Sequence, residues 1–105
     1  MAKKRATGPF GEEVRDLLTK RRMSVRALAE EIDFSAPFVQ RVVQGTKPPT
    51  TRLVAAVCHA LDLPEGYFAE AREASVVERV RNDPRLRDRL YDSLSKRGQR
   101  GQRPS

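Results

Sequence analysis

The sequence has one cysteine, one histidine and no tryptophan in 105 residues. A single cysteine, Cys58, excludes a disulfide framework within the chain, and with His59 alone beside it there is no ligand set for a zinc site, so no metal is expected. The two are adjacent in a helical pattern and so point about 100° apart, Cys58 toward a core and His59 toward solvent. No apolar run approaches the roughly 18 residues of a membrane span or resembles a signal peptide, which makes a reducing cytoplasm the simplest compartment and a membrane partner unexpected. No Gly-rich phosphate loop or nucleophile motif occurs, and the acids are scattered, so neither catalysis nor a cofactor is expected.

What is present is positive charge and helical periodicity. The formal charge is +7. Lys3, Lys4 and Arg5 near one end and Lys96, Arg97, Arg100 and Arg103 near the other equal that whole excess, and the remaining 14 basic side chains are matched by 14 acidic ones. The excess therefore sits on two arms, residues 1–9 and 96–105, whose small and polar composition buries nothing and predicts disorder without a partner. Basic arms suit a polyanion; they also serve as plain solubilising tails. A hydrophobic fraction of 38% supports one compact helical core between them.

Five helical patterns fall within residues 10–73. Phe10, Val14, Leu17 and Leu18 make an apolar stripe with Glu12 and Glu13 in the first turn and Lys20, Arg21 and Arg22 in the last, both suited to the helix dipole. A second pattern over residues 25–32 carries Val25, Leu28, Ala29 and Ile32 after a capping Ser24. A third over residues 36–44 follows Ser35, holds Pro37 in its first turn, buries Val39, Val42 and Val43, and stops at Gly45. Thr50 or Thr51 caps a fourth, with Leu53, Val54, Val57, Cys58 and Leu61 inward. Pro64 is expected to open a short fifth helix bearing Tyr67 and Phe68, an aromatic pair closing the core.

The second and third patterns, with the tight break between them, form a helix-turn-helix. The third leaves Ala36, Pro37, Gln40, Arg41 and Gln44 outward on a helix slim enough for a DNA major groove. From Phe10 to about Phe68 the order and spacing resemble the lambda-repressor-like helix-turn-helix family, also called the XRE family. Leu28-Ala29, Phe34-Ser35, Val39, Val42, Gly45, Lys47 and Pro48-Pro49 match its pattern, as does VCHALDL at 57–63 with Cys58 in place of the first Ala. Three departures stand out. Val25 replaces a phosphate-clamping Gln common in relatives, so such a contact falls to a backbone N–H. Leu18 and Val43 occupy positions where many relatives hold an Arg–Glu pair, an exchange that leaves no lone charge. SAPF at 35–38, with Tyr67-Phe68 further on, is similar to the actinobacterial subgroup that includes the mycobacterial ESX-1 secretion regulator.

The resemblance implies an all-α, five-helix domain that binds double-stranded DNA as a dimer and regulates transcription. Base contact is expected from Ala36, Pro37, Gln40 and Arg41. The first two offer only apolar contact to a thymine methyl, whereas Arg41 suits guanine O6 and N7 or, alternatively, a phosphate. Backbone contact is expected from Ser24, Arg26, Ser35, Gln44, Thr46, Lys47 and Arg52. Gln40 and Gln44 reach a base, the backbone or only solvent, and Phe38 either packs with Phe34 or meets the groove wall. The final helical runs, residues 74–95, place Val76, Val77 and Val80 on one stretch and Leu86, Leu90, Tyr91 and Leu94 on the next, a two-fold dimer interface or extra core for the first five helices. Rival readings are an antitoxin or adaptor that captures a protein partner and autoregulates, and a nucleoid-associated organiser of DNA.

Overall fold

A computed structural model describes residues 5–102, with side chains described for residues 5–96. It contains α1 (Phe10–Arg21), α2 (Val25–Ile32), α3 (Ala36–Gln44), α4 (Thr51–Ala60), α5 (Ala69–Asn82) and α6 (Pro84–Gln102), and no strand among the described residues. The chain divides after Ala74 into two compact units.

In the first unit the helix boundaries follow from local chemistry. Ser24 Oγ accepts the Ala27 N–H at 3.0 Å and Ser35 Oγ accepts the Phe38 N–H at 3.2 Å. Thr50, not Thr51, caps α4 by accepting the Leu53 N–H at 3.1 Å. Each such cap contributes about 1 kcal/mol. α3 ends on Gly45 at φ 87°, where glycine carries no Cβ penalty. The turn between α2 and α3 instead uses Asp33 at φ 60°, a left-handed residue that Asp tolerates better than most, and the Phe34 N–H returns to the Ala29 carbonyl at 3.0 Å. With Ser35 already the next cap, two residues separate one helix from the next cap.

The core draws on all of α1 to α4. Phe10, Val14, Leu18, Leu28, Ala29, Val39, Val42, Val43, Leu53, Val54, Val57 and Leu61 are buried, each larger aliphatic or aromatic side chain stabilising by roughly 1.5–3 kcal/mol. Leu18 and Val43 are both among them, and no charged residue is fully buried among the described residues. Leu17, Val25, Ile32 and Cys58, read as inward, are only partly buried at the core margin. Burial pushes the Cys58 thiol up, which keeps it protonated as a small hydrophobe. Gly11 is required by a close approach: a Cβ there would lie 2.6 Å from the Val43 carbonyl oxygen and 2.7 Å from that of Val42. α1 thus lies directly on the last turn of α3.

Three expectations need correction. Pro64 opens a turn rather than a helix: the Tyr67 N–H bonds the Pro64 carbonyl at 3.0 Å, and Gly66 sits at φ 78°, the third-position geometry of a type II turn. The turn lets two consecutive aromatics, Tyr67 and Phe68, both be buried, which a helix would splay about 100° apart. Phe68 meets Phe10 edge-on at 4.7 Å and Tyr67 at 5.1 Å. Next, α5 starts at Ala69 and runs unbroken to Asn82, since no Gly or Pro interrupts it at the expected junction near residue 73. Finally, residues 5–9 are not a free arm. Ala6 is fully buried, its N–H donates to the Tyr67 carbonyl at 2.7 Å, and Arg72 donates to the carbonyls of Ala6, Gly66 and Tyr67, each at 2.9 Å. Glu70 accepts the Phe10 N–H at 3.0 Å, capping α1 where Pro9 offers no side chain to do so.

In the second unit, Asp83 caps α6 by accepting the Leu86 N–H at 3.1 Å, and the helix continues past the expected limit at residue 95 to Gln102. Lys3, Lys4 and Arg103, and the side chains of Arg97 and Arg100, lie outside the described residues.

Candidate nucleic-acid interface

The solvent face of α3 follows from its sequence. At 100° per residue, Gln40, Gln44, Pro37 and Arg41 fall in an arc of about 100°, and all four are exposed. Val39, Val42 and Val43 occupy the opposite side and are buried. Ala36 and Phe38 flank the arc and are half-buried, so Ala36, read as a base-contacting position, sits at the edge of the face with its methyl packed against the core. Phe38 stacks on Phe34, centroids 6.3 Å apart at 19°, the packed alternative of the two open for it.

Around this arc the candidate phosphate contacts divide by what their polar atoms already do. Ser24 and Ser35 each accept one backbone N–H, which leaves the hydroxyl proton free to be donated. Thr46 Oγ1 instead donates to the Arg41 carbonyl at 3.1 Å, and the Thr46 and Lys47 N–H groups converge on the same oxygen at 2.9 and 3.3 Å. Its one hydroxyl proton is engaged, so Thr46 fastens the loop after α3. Arg26, Arg41 and Lys47 are exposed, and none is ion-paired among the described residues. The Arg52 guanidinium lies 5.6 Å from the Phe34 ring centroid, a cation–π contact that holds a cation from α4 over the α2–α3 turn.

Residues outside the expected set position this face. Arg15 of α1 donates to the Val43 carbonyl at 3.2 Å, and Gly11 gives α1 its close seat on the same turn. A glycine inside a helical pattern flags such an approach, whereas nothing in sequence spacing marks Arg15. The Phe34–Arg52 contact is likewise invisible to periodicity, because it links two elements through a tertiary packing.

The residues read as a dimer interface lie on the second unit. Val76, Tyr91 and Leu94 are 58, 69 and 67% exposed, Val77 and Leu90 are each 41% exposed, and Val80 and Leu86 are half-buried. Leu86, Leu90 and Leu94 share one side of α6 at i, i+4 and i+8. No helix among the described residues is long and apolar enough to cross a membrane.

Residues 9–71, more than half of the chain, match a family model described as a helix-turn-helix domain. No curated protein and no solved structure matches the chain.

Proposed function

Because the chain belongs to the helix-turn-helix domain family, a family of DNA-binding domains, we propose that it is a sequence-specific regulator of transcription that binds duplex DNA as a dimer, within the lambda-repressor-like branch and near the actinobacterial subgroup that SAPF resembles. The observation that carries this reading is the exposed arc of Pro37, Gln40, Arg41 and Gln44 on a helix whose other side is locked into the core. Inserted in a major groove, that arc offers Arg41 to guanine O6 and N7, with Gln40 and Gln44 beside it for adenine or the backbone. Pro37, with the Ala36 methyl at its edge, meets thymine methyls and contributes shape rather than hydrogen bonds.

Ser24, Arg26, Ser35, Lys47 and Arg52 set the register on the phosphates, and Thr46 acts by fixing the loop that carries Lys47. With one strong polar reader on each α3, specificity rests on two half-sites read together. The exposed apolar residues of α5 and α6, Val76, Val77, Leu90, Tyr91 and Leu94 with Val80 and Leu86 beside them, pair two copies. Selection from a random duplex library with purified protein tests the reading. An inverted repeat with half-site centres about one helical turn, 34–36 Å, apart or a multiple of it is expected. A broad preference for shape without a repeat would point instead to an organiser of the nucleoid, and no DNA retention at all would defeat the proposal.

A further inference from the structure

α6 carries a second pattern beside its apolar side. Arg85, Arg89 and Lys96 stand at i, i+4 and i+11, within about 40° of one another around the helix and about 120° from the Leu86–Leu90–Leu94 side. All three are exposed and none is ion-paired among the described residues. One acid at its edge is already paired: Asp88, about 60° from Arg85 around the helix, bonds Arg87 on the far side at 2.9 Å. That pair leaves Asp92, bonded to none of the three, as the acid bordering them. Three cations against one neighbouring acid give this side a surplus of positive charge. It spans about 16 Å of helix axis, a length over which duplex DNA presents on the order of ten phosphate charges.

We propose that the Arg85–Arg89–Lys96 side of α6 is a second phosphate-binding surface, separate from α3, that holds duplex DNA by its backbone without reading bases. The proposal rests on the DNA-binding reading of α3. Guanidinium groups suit phosphate oxygens, which they bind in a bidentate fork. Duplex DNA, the partner proposed for α3, presents a dense regular row of phosphates along its length, which makes it a better-matched occupant than an acidic protein. Because the cations lie away from the leucines, a second copy covering the apolar side leaves them free.

The test is the salt dependence of DNA affinity for the full chain, since each phosphate contact adds about 0.9 to the slope of log K against log salt. In the triple variant Arg85→Gln, Arg89→Gln, Lys96→Gln the slope should fall by about 2–3, while the double variant Arg87→Gln, Asp88→Asn, which removes a mutually neutralised pair whole, stays near wild type. The charge-preserving pair Arg85→Lys, Arg89→Lys should keep the slope. Should the triple variant change oligomeric state, Arg85→Gln and Lys96→Gln taken singly should each lower it by about 0.9. Two arms separate the sources of phosphate. A loss seen only with duplexes longer than the operator assigns the surface to the same DNA, and loss of capture of a free duplex by a bead-bound one assigns it to a second; either supports the proposal. A wild-type slope in the glutamine variants, with Lys47→Ala still lowering it, overturns the second surface and leaves α3 standing. If Lys47→Ala is also without effect, the reading of α3 fails with it.

Discussion

Arg15 of α1 donates a hydrogen bond to the Val43 carbonyl at 3.2 Å, so a helix that contributes no candidate DNA-contacting residue holds the last turn of the helix that presents them. Gly11, on the same helix, fits against the carbonyls of Val42 and Val43 with no room for a Cβ. Gly11→Ala is therefore expected to push α1 off α3 and to cost about 1–3 kcal/mol of stability in denaturant unfolding, the range for overpacking a tight contact. DNA affinity should fall alike for all sequences, because the seat of α3 moves while its side chains stay the same. Unfolding curves that superimpose on wild type would refute the close seat.

Arg41 and Lys47 should separate reading from gripping. Arg41→Ala is expected to relax preference at one position per half-site by about 1–3 kcal/mol, measured by competition among operator variants. Lys47→Ala should weaken every duplex equally and lower the salt slope by about 1. An Arg41→Ala protein with unchanged preference would assign that guanidinium to phosphate.

Leu90→Asp with Leu94→Asp should yield a monomer in sedimentation without loss of helical content. Both side chains are well exposed in the single chain, so charge there costs little in folding while being incompatible with an apolar seam. Binding to a single half-site should survive, and the advantage of the paired site should vanish. A double variant that remains dimeric would move the interface elsewhere.

Arg72→Ala should destabilise the first unit by roughly 2–3 kcal/mol, as expected for losing charge-assisted hydrogen bonds to partly buried carbonyls. Three are lost at once, to Ala6, Gly66 and Tyr67, and the buried Ala6 loses its anchor. Amide exchange at the Ala6 N–H should then rise before any change at α3. Arg72→Lys, with a single point of donation, should restore only part of the loss.

The parts of the fold written in short-range chemistry were legible in the sequence. Ser24, Ser35 and Gly45 bound α2 and α3, and the period of Val39, Val42 and Val43 sorts the outward face, because capping and amphipathicity act over three or four residues. Features that depend on distant parts of the chain were not. Pro64 has the form of a helix start, but Gly66 in the left-handed region and the burial of both Tyr67 and Phe68 favour a turn. Ala6 lies among basic residues and reads as tail; its burial depends on Tyr67 and Arg72, more than sixty residues on. Ala36 reads as outward from its place beside Pro37, but the packing of α3 against the core turns it partly inward, which the sequence of that one helix does not encode.

The burial of Leu18 and Val43 in a core where no charged side chain is buried among the described residues has a consequence for how the protein leaves DNA. A core with no charged side chain buried among the described residues owes little of its stability to ionic attraction, whereas the contacts proposed for α3 and its flanks owe most of theirs to it. Ionic strength thus acts on one and spares the other: raising it strips the protein from its site still folded and able to rebind on dilution. Occupancy then follows the cell's ionic conditions as a reversible variable, independent of the thermal margin of the fold.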